Sequence, residues 1–75
     1  MDKLKLGKYQ HFKGKLYEVV GTARHSETLE ELVVYKALYT SKEFGSGSFW
    51  VRPKAMFLGK AELNSKKVPR FKFIS

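Results

Sequence analysis

Cysteine is absent from this chain, which excludes disulfide staples, thiolate metal ligands and a cysteine nucleophile. No apolar run approaches the roughly 18 residues that a membrane-spanning helix needs. The opening Met1-Asp2-Lys3-Leu4-Lys5-Leu6 is too broken by charge to form a signal-peptide core. These absences predict a soluble cytoplasmic protein in a reducing compartment, with no membrane association. Acidic side chains are scarce: 7 Asp and Glu stand against 15 Lys and Arg, giving a net charge of +8.

What is present is enough for one core. Hydrophobic residues make up 43% of the 75 positions and aromatics 15%, too many for a disordered tail. A chain this short buries only about 60% of its unfolded surface, so each large apolar residue counts. We read residues 1–75 as a single domain, with a monomer expected. The positive charge is concentrated at the two ends of the chain, around a net-acidic middle spanning residues 18–43. If the ends lie side by side, one surface attracts nucleic acid or another acidic partner.

The local pattern is mostly β. Aromatics in residues 7–13 stop at Gly14-Lys15, and Leu16 to Ala23 follows as a second strand of a hairpin. Gly21 inside that apolar run predicts a bulge or sharp bend. Residues 26–31 read as a turn. Residues 32–39, rich in valine and tyrosine, read as a strand because those side chains pack well on a pleat. Gly45-Ser46-Gly47-Ser48 marks a loop over residues 40–48. Phe49 to Arg52 is a short strand halted by Pro53, which suits the first position of one helical turn over Lys54 to Phe57. Asn64 to Lys67 is a polar turn, and Phe71 and Phe73 alternate with basic residues in a last strand. Met56, Phe57, Phe71 and Phe73 are assigned to the core. The fold class is mainly β: a small SH3-like five-stranded barrel or roll with one short helical turn before the last strand.

Several ordered segments carry a resemblance. They are Gly7-x-Tyr9-x-His11-x-Lys13-Gly14, Tyr17-Glu18-Val19, Ala23-Arg24-His25-Ser26-Glu27-Thr28 and Glu31 through Tyr39. Trp50-Val51-Arg52-Pro53-x-x-Met56-Phe57 and Pro69-Arg70-Phe71 complete the set. With these pieces the chain resembles the bacterial domain of unknown function family 1653. The resemblance implies a compact β-roll like an SH3 barrel and assigns no activity. The loop from Thr40 to Ser48 departs from the family pattern, being longer and richer in glycine and serine.

No catalytic constellation is found, and the chain is read as not an enzyme. His25-Ser26-Glu27 holds triad residue types, but consecutive residues do not converge as a triad requires, and no nucleophile elbow accompanies them. Ser26 or Thr28 is instead expected to cap a turn, with Glu27 or Glu31 accepting backbone N–H groups. His11, His25 and Glu27 could supply zinc ligands only if the first strands bring them together. They lack a short ligand spacing, so no metal and no cofactor is expected.

Binding residues are better represented. The ligand-binding candidates are His11, Arg24, His25, Ser26, Glu27, Tyr35, Trp50, Arg52 and Arg70. Guanidinium groups beside aromatic faces suit stacked bases, phosphate or carboxylate. Tyr9 and Tyr17 are further aromatic candidates, and Lys8, Lys13 and Lys72 are candidates for phosphate contact. Two arrangements follow. A nucleic-acid face would combine Lys8, Lys13, Arg52, Arg70 and Lys72 with Tyr9 and Trp50. A small-molecule or peptide pocket would form around His11, His25, Glu27, Tyr35 and Arg52. A protein-interaction domain is the third reading.

Overall fold

A computed structural model describes residues 4–75; the charged opening of the chain therefore begins outside the described residues, at Met1-Asp2-Lys3. Five strands form the main sheet: β1 (Gly7–His11), β2 (Leu16–Arg24), β3 (Glu31–Ala37), β6 (Phe49–Pro53) and β9 (Phe71–Phe73). Two short ribbons complete the β structure. One pairs β4 (Thr40–Ser41) with β5 (Gly45–Ser46), and the other pairs β7 (Lys60–Leu63) with β8 (Lys66–Pro69). The single helical turn, α1 (Lys54–Phe57), joins β6 to β7.

Local chemistry explains the turns. Between β1 and β2, Gly14 takes φ +106, a region open to glycine but not to most residues, and its N–H donates to the His11 carbonyl. Asn64 and Ser65 both have positive φ, which is the geometry of a two-residue hairpin whose twist matches its flanking strands. The polar turn expected over Asn64 to Lys67 narrows to Asn64-Ser65, because Lys66 and Lys67 belong to β8. Likewise, the loop of residues 40–48 contains the β4–β5 ribbon. Pro53 ends β6 with ψ 136 and precedes the helix, so it sits at the N-cap rather than at the first helical position.

The main sheet is antiparallel, in the order β6-β3-β2-β1-β9. β6 and β9 are therefore its two edges: of the expected SH3-like barrel or roll, the barrel does not close, and the sheet is open. It is nevertheless strongly curled. Flat strands three spacings apart would lie ~14 Å from each other, yet the Tyr35 ring on β3 and the Phe71 ring on β9 have centroids 5.5 Å apart. The bulge expected near Gly21 is present: β2 pairs through Val19↔Tyr35, then resumes at Gly21↔Val34, leaving Val20 extra. A bulge bends its strand and increases local twist.

The concave face carries Tyr9, His11, Tyr17, Val19, Val33, Tyr35, Ala37, Trp50, Arg52 and Phe71, as the pairing registers place them. Of these, Tyr9, Val19, Val33, Tyr35 and Phe71 join Phe57 of α1 in the buried cluster. Phe57 stacks on Phe71 at 4.1 Å with the planes 9° apart. Met56 is 50% exposed, because only one residue of a four-residue helix faces the sheet, and Phe73 at the edge is also exposed. The convex face carries the row Lys8, Glu18, Lys36 and Phe49, alternating in charge before it ends on an aromatic ring.

β1 and β9 pair directly, through Tyr9↔Phe73 and His11↔Phe71. The two basic ends of the chain thus lie side by side. α1 is far too short to cross a membrane, and no helix among the described residues is long and apolar enough to do so.

Candidate functional site

At one end of the concave face, polar groups gather around the ring of Phe71. The His11 ring lies 5.0 Å from it, Tyr17 lies 5.8 Å away, and the Arg52 Cζ atom lies 5.7 Å from its centroid. Arg52 belongs to the far edge strand, four spacings or ~19 Å away in a flat sheet. Only the curl brings it here. Arg52 Nε donates to the Tyr35 hydroxyl at 3.3 Å, which fixes the guanidinium and leaves its two terminal nitrogens for a ligand.

Arg70 occupies the bend between β8 and β9. Its carbonyl accepts from the Phe12 N–H at 2.9 Å, and its own N–H donates to the Gly59 carbonyl at 3.0 Å. Its Nε is buried and has no hydrogen-bond partner among the described residues. A buried donor left unmade costs about 1–3 kcal/mol.

His11 is held in one state. Its Nδ1 accepts from the Lys13 N–H at 3.1 Å, so the neutral ring carries its proton on Nε2, a donor. Burial, aided by the positive charges of Arg52, Arg70 and Lys13, pushes its pKa below the usual histidine value. Beside it, the hydroxyls of Tyr17 and Tyr39 share a hydrogen bond of 2.8 Å. Burial, then the Tyr39 hydroxyl, pushes the Tyr17 pKa well above that of a free phenol. No carboxylate enters the cluster: among the described residues the one ion pair is Lys54–Glu31, 3.6 Å apart, beyond the helix. The Arg52 guanidinium, the imidazole and the phenol hydroxyls thus gather around Phe71, with the Arg70 charge near enough to act on His11 and no acidic group paired with any of them.

The remaining candidates lie elsewhere. His25, Ser26 and Glu27 occupy the exposed turn between β2 and β3. The His25 Nδ1 accepts from the N–H groups of Glu27 at 3.2 Å and Thr28 at 3.3 Å, so the imidazole itself is the cap expected of Ser26. Thr28 caps the Glu30 N–H, while Glu31 pairs with Lys54 instead of accepting backbone groups. Arg24 Nη1 donates to the Leu29 carbonyl at 2.8 Å and closes the same turn. His25 and Glu27 thus share no hydrogen bond or ion pair with Arg52, and the pocket expected around all three does not form. His11 stands at the other end of the hairpin, so His11, His25 and Glu27 do not converge; no group of three or more His, Asp or Glu suited to a metal occurs among the described residues.

The expected nucleic-acid face is also divided. Lys8 and Lys72 lie on the convex face, opposite Arg52 and Trp50. Tyr9 is 6% exposed, with its hydroxyl donating to the Lys5 carbonyl, so it has no face for a base. Trp50 is half-buried, donates from Nε1 to Ser48 Oγ and packs edge-on against Phe44. Lys13 projects from the β1–β2 turn with its Nζ over the Phe12 ring. Tyr39, outside the expected candidates, joins the site because it follows β3 at the same end as Tyr17. Its membership depends on register and leaves no local signal.

The fold and the cluster define a small, curled β domain with a basic, aromatic-floored site. Residues 7–73 match the family described as Protein of unknown function (DUF1653), and the chain belongs to that family. Its structure is similar to the crystal structure of a DUF1653 protein from Bordetella bronchiseptica. The two share 29% identity and a TM-score of 0.85, over 96% of this chain and 88% of that one. A search of curated proteins finds no match.

Proposed function

We propose that this domain is a non-enzymatic, monomeric binding module that takes an anionic group, carboxylate or phosphate, at Arg52, Arg70 and His11. The observation that carries the reading is the set of two guanidinium groups around a histidine with no carboxylate among them. Such charges are ordinarily paired when partly buried. Arg52 is oriented by Tyr35, which leaves its two terminal nitrogens for a ligand. Guanidinium forks take carboxylate and phosphate oxygens bidentately. A neutral histidine beside them supplies a third donor without adding charge.

Nucleic acid is a weaker reading, because the lysines and aromatics proposed to hold it lie on opposite faces. Titrating the protein with acetate and with inorganic phosphate, followed by amide chemical shifts, tests the proposal. Shifts centred on His11, Arg52 and Arg70 are expected, with affinity falling roughly tenfold or more in Arg52→Gln and Arg70→Gln. A protein whose shifts do not respond to either anion at low salt would refute it.

A further inference from the structure

The two edges of the main sheet differ. Strand β9 is 3 residues long and carries Lys72 at its centre, whereas β6 runs 5 residues without a bulge. Pairing with β3 fixes where the backbone of β6 points. The Ala37 N–H donates to the Ser48 carbonyl at 2.8 Å, in the register that also sets Tyr35↔Trp50 and Val33↔Arg52. Hydrogen-bonded pairs alternate along an antiparallel ladder. Trp50 and Arg52 therefore direct their N–H and C=O groups at β3, while Phe49 and Val51 direct theirs away from it. Beyond them Pro53 ends the row and the helical turn follows. Among the described residues, no backbone group hydrogen-bonds those of Phe49 or Val51.

The side chains at the same two positions are open as well. Phe49 is 64% exposed and Val51 57%, and both stand on the convex face, where Val34 lies beside Val51. Natural edges are blunted by lysine, proline or a bulge, and none of these falls between Phe49 and Val51. The surrounding charge is positive. The Lys36 Nζ lies 6.0 Å from the centre of the Phe49 ring, Arg52 follows Val51 without an acidic partner, and the whole chain carries +8. A second copy would bring the same charge to this edge and be repelled, whereas an acidic chain is drawn in.

We infer that β6 is a docking edge for an extended acidic peptide, which adds to the sheet as an antiparallel strand beside Phe49 and Val51. In such strand addition the main chain supplies the hydrogen bonds and alternate side chains supply the selectivity. Apolar residues two apart in the peptide cover Phe49 and Val51 on the convex face, and carboxylates flank them. The inference goes beyond the anion site and does not depend on it: acetate and phosphate need no strand, so failure here leaves that site standing.

The test uses the full chain and the peptide Glu-Val-Thr-Val-Glu, acetylated and amidated at its ends. In the antiparallel register its valines sit opposite Val51 and Phe49 with their N–H groups aimed at β6, while the threonine N–H points away. Amide exchange followed by NMR should be fast at Phe49 and Val51 and slow at Trp50 and Arg52 in the free protein. Adding the peptide should slow Phe49 and Val51. N-methylation of both valines removes two hydrogen bonds and should weaken binding about tenfold or more, whereas N-methylation of the threonine should leave it nearly unchanged. Exchanging both glutamates for lysine should weaken binding at low salt, and the difference should shrink as salt is raised. Equal loss from either methylation overturns the inference, because side chains alone would then carry the contact. Equal or tighter binding of the lysine peptide overturns it too. Protection of Phe49 and Val51 that rises with protein concentration alone gives the edge to a second copy instead. Unchanged exchange at both residues with peptide in large excess leaves no docking edge at all.

Discussion

The rings of Tyr35 and Phe71 meet at 5.5 Å although β2 and β1 separate their strands. That contact ties the curl of the sheet to the assembly of the site. Phe71 also stacks on Phe57 and sits beneath His11 and Arg52, so one side chain supports both the core and the ligand-binding end. Phe71→Ala is expected to cost about 3–5 kcal/mol, a large share of the stability of a domain this size. Denaturant unfolding should show a greatly lowered midpoint. Phe71→Leu should keep the fold with a loss of ~1–2 kcal/mol.

Arg70 predicts the opposite behaviour. Its Nε is buried without a partner, so Arg70→Met removes an unmade hydrogen bond while keeping most of the apolar stem. Unfolding midpoints should stay level or rise by about 1 kcal/mol equivalent, even as anion affinity falls. A marked loss of stability in Arg70→Met would show that the guanidinium is structural.

The pH dependence follows from His11, whose pKa in the folded protein lies below the ordinary value because of burial and the nearby positive charges. The unfolded chain then binds the proton more readily, so this histidine contributes stability above a pH of about 6.5, which is lost as pH falls toward its folded value. Urea unfolding measured between neutral pH and mild acid should show that decline, and His11→Gln should flatten it. A bound anion should raise the His11 pKa, since linkage makes protonation and anion binding reinforce each other. Imidazole proton shifts followed with and without phosphate would read this directly.

Tyr17 is expected to remain a phenol across the alkaline range where free tyrosine ionises, because burial and the Tyr39 hydroxyl disfavour the phenolate. Its raised pKa means that stability is present below the unfolded value of about 10 and is lost as pH rises above it. Ultraviolet titration should find one tyrosine fewer ionising in Tyr17→Phe only at the most alkaline end. The same substitution breaks the hydroxyl pair and should cost ~1 kcal/mol.

At the exposed turn, His25 serves through Nδ1 as an aspartate or asparagine would. His25→Asn should therefore preserve stability, whereas His25→Ala should lower it by about 1 kcal/mol. Neither should alter anion binding at the other end of the hairpin, and a change in affinity would connect the two.

Strand identity was largely legible because apolar and aromatic alternation reports which residues can cover a pleat. The later strands of the main sheet are legible that way, while β1 shows through its aromatics and the Gly14 break, and the bulge through Gly21 inside an apolar run. The β7–β8 ribbon is not legible, since Lys60, Lys66 and Lys67 dilute its pattern and Asn64-Ser65 lacks the glycine that usually marks a tight hairpin. In the site, His11, Tyr35, Arg52 and Arg70 were chosen for chemistry, while the grouping of His25 and Glu27 with Arg52 failed. Sequence proximity to a turn says little about which end of a curled sheet a side chain reaches. Closure was misjudged for a related reason: hydrogen-bonded order depends on which edges meet, and no local pattern records it.

The extra residue at Val20 gives β2 a phase change. Before it, Tyr17 and Val19 face the core; after it, Thr22 sits opposite buried Val33, so odd positions turn outward. Alternation along β2 is thus counted from two origins. Residue number in this stretch is under a constraint that residue identity is not, and the loss of one position would turn over either the half that carries Tyr17 and Val19 or the half that carries Thr22. The ribbon between Thr40 and Ser46, which feeds no register in the main sheet, carries no such arithmetic and is where the chain can lengthen or shorten freely.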